Sequence, residues 1–119
     1  MPDIIADTAA ALRSITEHYG IIIKQGWYDA DINATHITLW DLGETQDDHS
    51  DDEPESTTQN IQITIFSKQD ETALAEKIKE LMKREDFDYI GRNPDDAKPE
   101  QGIYMKALRY SKTYEMEET

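Results

Sequence analysis

Two segments of the chain alternate apolar and polar residues with a period of two. In Asn60–Lys68, "NIQITIFSK", Ile61, Ile63 and Ile65 point one way, and Gln62, Thr64 and Phe66 point the other. In Thr35–Leu42, "THITLWDL", Ile37, Leu39 and Asp41 share one face, and His36, Thr38 and Trp40 share the other. Both segments are expected to be strands, paired as an antiparallel hairpin. The residues between them form a loop of roughly 17 residues, long enough to be either functional or disordered. A third strand is expected over Ile103–Glu115, "IYMKALRYSKTYE". It carries apolar residues on both faces near its start, as a central or partner-covered strand does. Shorter extended segments are expected at 21–28, broken near Gly26, and at 87–92. Polar residues 29–35 should form a turn, and 93–102, with two prolines and a glycine, a loop.

Helical spacing occurs twice. Over residues 3–19, Ile5, Ala9, Leu12, Thr16 and Tyr19 form a stripe, widened by Ile4, Ala11 and Ile15. Asp3 is the expected N-cap, Asp7 lies near the positive end of the helix dipole, and Gly20 follows as the C-cap. Over residues 70–84, Leu74, Ile78 and Leu81, flanked by Ala75 and Met82, form the buried stripe. Glu76 with Lys79, and Glu80 with Arg84, should pair on its surface. Ser67 or Asp70 is expected to cap its start. The elements assemble into an α+β domain: a mostly antiparallel sheet of about four to five strands, two helices packed on one side, and a long acidic β-hairpin loop. Its 119 residues suit one domain, with a flexible loop at 44–58 and a frayed end at 115–119.

Composition changes this picture in one direction. Apolar residues are 37% of the chain and charged residues 32%, so the core is thin and a subunit interface could complete it. Twelve basic and 26 acidic residues give a formal charge of −14, which repels phosphate backbones and anionic lipid heads. The same charge also serves solubility alone. The absence of cysteine excludes disulfides, thiolate metal sites and cysteine nucleophiles. No signal peptide is expected at the N-terminus, and the longest apolar run, Ile21–Ile23, cannot span a membrane.

The most acidic stretch is Gln46–Ser56, "QDDHSDDEPES", in which Asp47, Asp48, Asp51, Asp52, Glu53 and Glu55 surround His49. A calcium loop of the EF-hand kind fails here. Counted from Asp47, the sixth position is Asp52 where glycine is needed, and the twelfth is Thr58 where glutamate is needed. Weak, unspecific binding of divalent cations stays open. His18, His36 and His49 are scattered, with no metal-ligand spacing. No nucleophile elbow and no glycine-rich phosphate loop is present. The chain is therefore expected to be neither an enzyme nor a cofactor or metal protein. Its aromatics, Trp27, Tyr28, Trp40, Tyr104 and Tyr110 with Tyr114, are either core or interface, since Trp and Tyr are enriched where proteins meet.

The order of elements resembles the small tail-terminator proteins of long-tailed bacteriophages, also called tail-completion or minor tail proteins, and their prophage relatives. The likeness covers nearly the whole chain. It is carried by the isoleucine strand "IQITIFSK" running into a helix, by "DFDYIG" after that helix, and by a terminal strand with a Gly-aromatic start, "GIYMKALRYSKTYE". The resemblance implies a virion protein of the tail, assembled in the bacterial cytoplasm. It implies a ring, usually of six subunits, that caps the tail tube and meets the head–tail connector while DNA passes through its hole. The family has no catalytic motif to carry over. Six subunits at −14 hold on the order of 80 negative charges, and a negative lumen lets DNA slide without specific binding.

On this reading the expected subunit or partner contacts are Trp27, Tyr28, Trp40, Ile61, Ile63, Ile65, Tyr104 and Tyr110, with the hairpin strands supplying edges. The acidic 46–56 loop would face the lumen or a partner. Tail tube and connector proteins are the expected partners, and no membrane is involved. Two rivals stay open: a head-completion or neck protein of the same particle, and an acidic DNA-mimic inhibitor.

Overall fold

A computed structural model of the chain describes residues 3–26, 35–46, 56–68, 72–92, 97–100 and 103–115. The elements run α1 (Ile4–Ala11), α2 (Arg13–Tyr19), β1 (Ile22–Gln25), β2 (His36–Gln46), β3 (Ser56–Ser67), α3 (Thr72–Arg84), β4 (Asp88–Arg92), β5 (Ala97–Glu100) and β6 (Ile103–Glu115). This is an α+β fold with a mixed, mostly antiparallel sheet. The strands follow the order β1-β2-β3-β6-β4, and β5 pairs with β6 beyond β4.

The hairpin is longer than the alternation alone implied. β2 and β3 stay paired from His36↔Phe66 to Gln46↔Thr57. Residues 44–46 and 56–58, expected in a flexible loop, are therefore strand, held by backbone pairing despite their polar sequence. The loop proper, with Asp47, Asp48, Asp51, Asp52, Glu53 and Glu55, lies outside the described residues. β3 pairs on its other side with β6 over twelve registered positions, Ser56↔Glu115 to Ser67↔Tyr104. At about 3.3 Å per residue, these central strands each run about 40 Å and account for the long dimension of the 52 × 28 × 24 Å molecule.

The register places Ile37, Leu39, Ile61, Ile63, Ile65, Leu108 and Tyr110 on one sheet face. They form one core with Ile4, Leu12 and Ile15 from the first helices and Leu74, Ala75, Ile78, Leu81 and Met82 from α3. The stripe expected on α3 is thus the one that is buried. Glu76 meets Lys79 at 3.6 Å and Glu80 meets Arg84 at 3.2 Å on its outer side.

The N-terminal helix departs from its expected form. It breaks at Leu12, whose φ of −97° and ψ of 7° lie off the helix, so one helix becomes two. The buried stripe also differs from the expected one. Ile4, Thr8, Leu12 and Ile15 turn inward, while Ala9, Thr16 and Tyr19 are exposed. The caps are as expected: Asp3 accepts from the amides of Ile5 and Ala6, and Gly20 ends α2 in the left-handed region at φ 67°. Ser67, an expected cap, is buried at the end of β3, five residues before α3 begins at Thr72, and its hydroxyl meets that of Thr35 at 2.9 Å. Asp70 lies outside the described residues.

Two pairings were not foreseen. β1 runs parallel to β2, from Ile22↔His36 to Gln25↔Leu39. Within the expected 93–102 loop, Ala97–Glu100 pairs with β6. Pro99 is tolerated there because the strand lies at the edge, where a missing N–H costs no internal ladder bond.

Candidate interaction surfaces

β3 is paired on both sides along nearly its whole length, while among the described residues β2 is covered on its outer side only at His36–Leu39, by β1, and β6 only at Ile103–Met105 and Leu108–Ser111, by β5 and β4. Of the hairpin strands expected as subunit contacts, β3 has no free edge, whereas among the described residues the outer side of β2 past Leu39 has no partner strand. Ile61 and Ile63 are fully buried and Ile65 is 1% exposed, all in the core beneath the helices. Tyr110 is also 1% exposed, packed on Tyr89 with ring centroids 5.3 Å apart. These four expected contact residues are core residues; alternation marks a strand's buried face and cannot say whether a helix or a partner buries it. Tyr104 is half-buried and Trp40 is exposed. Trp27 and Tyr28 lie outside the described residues.

Trp40 belongs to the sheet face opposite the helices. Rows across this face read His36–Phe66–Met105, Thr38–Thr64–Ala107 and Trp40–Gln62–Arg109. Its centre is buried, although no described helix packs on it. His36 stacks on Phe66 at 5.2 Å. Arg109 Nε donates to Gln62 Oε1 at 3.1 Å, and Gln62 Nε2 donates to Thr64 Oγ1 at 3.0 Å. This relay satisfies a side-chain amide that burial would otherwise penalise.

Among the described residues, uncovered backbone lies along β1 and the outer side of β2 past Leu39 at one end of the sheet, and along β4 and the end of β6 at the other. Among the described residues, nothing pairs with the outer side of β1 or of β4. Both edges carry large apolar side chains in water: Ile22 on β1, and Tyr89 and Ile90 on β4. Each edge also carries an exposed charge, Lys24 on β1 and Asp88 on β4. β4 has a bulge between Tyr89 and Gly91, and Gly91 takes a φ of 120° that a side chain would strain.

A shallow hollow of about 240 Å³ opens between the first helix and the end of β6, lined by Asp7, Ala10, Ala11, Glu85, Phe87 and Lys112. Its charged groups hold structure. The Tyr114 hydroxyl donates to Asp7, and Lys112 Nζ donates to the Glu85 carbonyl at 3.1 Å while lying 4.6 Å above the Phe87 ring. Burial, the hydrogen bond to Asp7, and the charges of Asp7 and Asp3 push the Tyr114 hydroxyl well above its ordinary range. Tyr110 is pushed up to about 12, chiefly by burial and then by Tyr89 and Glu76. Neither phenol is poised to exchange a proton near neutrality.

Among the described residues, no group of three His, Asp or Glu side chains converges as a metal site. No described helix is long and apolar enough to cross a membrane. The sequence matches no protein-family model, and comparison with curated proteins gives no match.

Proposed function

We propose that the protein is a structural component of a long-tailed phage or prophage particle: a tail terminator whose subunits close into a ring on the end of the tail tube. The observation that carries this reading is that, among the described residues, both ends of the sheet are open edges with large apolar side chains exposed, on a small acidic chain. A subunit with two different unsatisfied edges suits head-to-tail association, and head-to-tail contacts generate rings when the rotation closes. The charge of −14 suits a lumen that DNA traverses, because a wall that neutralises no phosphate releases no counterions and holds no duplex.

The reading is tested by native mass spectrometry of the protein alone and with tail-tube protein added. A ring under either condition is the expected result, and strict monomers under both contradict it. A head-completion or neck protein of the same particle would share the ring but bind portal protein instead of tube, which a pull-down against each separates. For a DNA mimic, carboxylates would have to form an ordered array at phosphate spacing, and its most acidic segment, 47–55, lies outside the described residues.

A further inference from the structure

Resting on the ring-forming reading, we propose that the subunit contact is a strand-to-strand junction: the β1 edge of one copy pairs antiparallel with the β4 edge of the next, with Lys24 opposite Asp88. Strand polarity supports this. β1 runs with β2, β3 runs against β2, β6 against β3, and β4 against β6, so β1 and β4 run in opposite senses at the two ends of one sheet. A rotation about an axis along the strands preserves those senses. It therefore sets β1 beside β4 of the neighbouring copy in the antiparallel sense, the slightly more stable pairing.

Side-chain facing then limits the register. Lys24 shares the face of Thr38, away from the helices, and Asp88 shares the face of Ser111, which is the same face. Ile23 shares the helix-side face with Ile37, and Tyr89 does so with Tyr110. Pairing Lys24 with Asp88 places Ile23 opposite Tyr89 and brings Ile22 to the bulge. One register thus matches charge to opposite charge and apolar to apolar at adjacent positions, and cross-strand pairs of these kinds are the stabilising ones. It covers Ile22, Tyr89 and Ile90, which are 46%, 44% and 54% exposed in the free subunit. It also extends the existing core, since Ile23 already packs against it. The Tyr89–Gly91 bulge ends the junction by turning the strand away, so the contact is short and confined to the ring closure.

The test is charge reversal with rescue, read by sedimentation velocity over a concentration series and by amide hydrogen exchange. Lys24→Asp and Asp88→Lys alone should each weaken assembly at least about tenfold, because like charges then face one another. The double variant should return to within about threefold of the parent. Both residues are exposed, and circular dichroism should show each variant folded. Amides of 22–25 and 88–90 should gain protection on assembly. Rings that form equally well in the single variants, a double variant no better than the singles, or unchanged exchange at both edges would overturn the junction while leaving the ring intact. A chain that stays monomeric under every condition, tail-tube protein included, would overturn the junction and the ring together.

Discussion

Tyr114 ties the two ends of the chain together. It lies near the end of β6, and its hydroxyl donates to Asp7 in the first helix. Replacing it with Phe removes that bond and leaves the carboxylate to water, a loss of about 1–2 kcal/mol. Urea denaturation of Tyr114→Phe should show it as a lower midpoint with an unchanged slope. The same tyrosine sets the alkaline limit. The folded state holds the protons of Tyr110 and Tyr114 above their ordinary value of 10.0. Their contribution is full below pH 10 and declines above it, where the unfolded chain loses those protons while the folded chain still binds them. Thermal melts should therefore be flat with respect to these groups up to about pH 10 and fall beyond it, less steeply in Tyr114→Phe. Gly20, at φ 67°, makes a further test at this scale. Space for a methyl group exists, but the left-handed backbone disfavours it, so Gly20→Ala should cost about 1 kcal/mol.

The elements divide into those that announce themselves locally and those that depend on a partner strand. β3 alternates isoleucine with polar residues, and α3 repeats leucine and isoleucine at helical spacing; each face was legible because one side of each element meets the core. The break at Leu12 was not, since nothing in "AALRS" is a helix breaker. β5 was hidden by its composition, "AKPE", and becomes a strand only because β6 offers an edge. The parallel pairing of β1 had no local signal at all. The same limit explains the misplaced contact residues. Ile61, Ile63 and Ile65 look sticky in sequence, yet α1, α2 and α3 already cover them. Ile63→Ala should accordingly destabilise the isolated subunit by about 3 kcal/mol in chemical denaturation. A selective loss of assembly with unchanged subunit stability would contradict its place in the core.

At the scale of the whole molecule, two properties meet. Among the described residues the sheet stops at both ends with edges that expose apolar side chains, and the chain as a whole carries 26 acidic residues against 12 basic ones. Exposed edges invite addition of another strand, and strong like charge opposes indiscriminate aggregation; the proposed head-to-tail closure answers both. Self-repulsion between such subunits is screened by salt, with a Debye length near 10 Å at about 0.1 M. Assembly should therefore strengthen as sodium chloride is raised from about 20 to about 200 mM, measured by light scattering. Assembly that weakens over that range would mean that cross-subunit ion pairs outweigh the repulsion. Negative-stain microscopy of the purified protein mixed with tail tubes tests ring formation most directly. Closed rings seated on one end of the tubes, whose length they hold fixed, are the expected result; tubes with bare ends beside unassembled protein would contradict it.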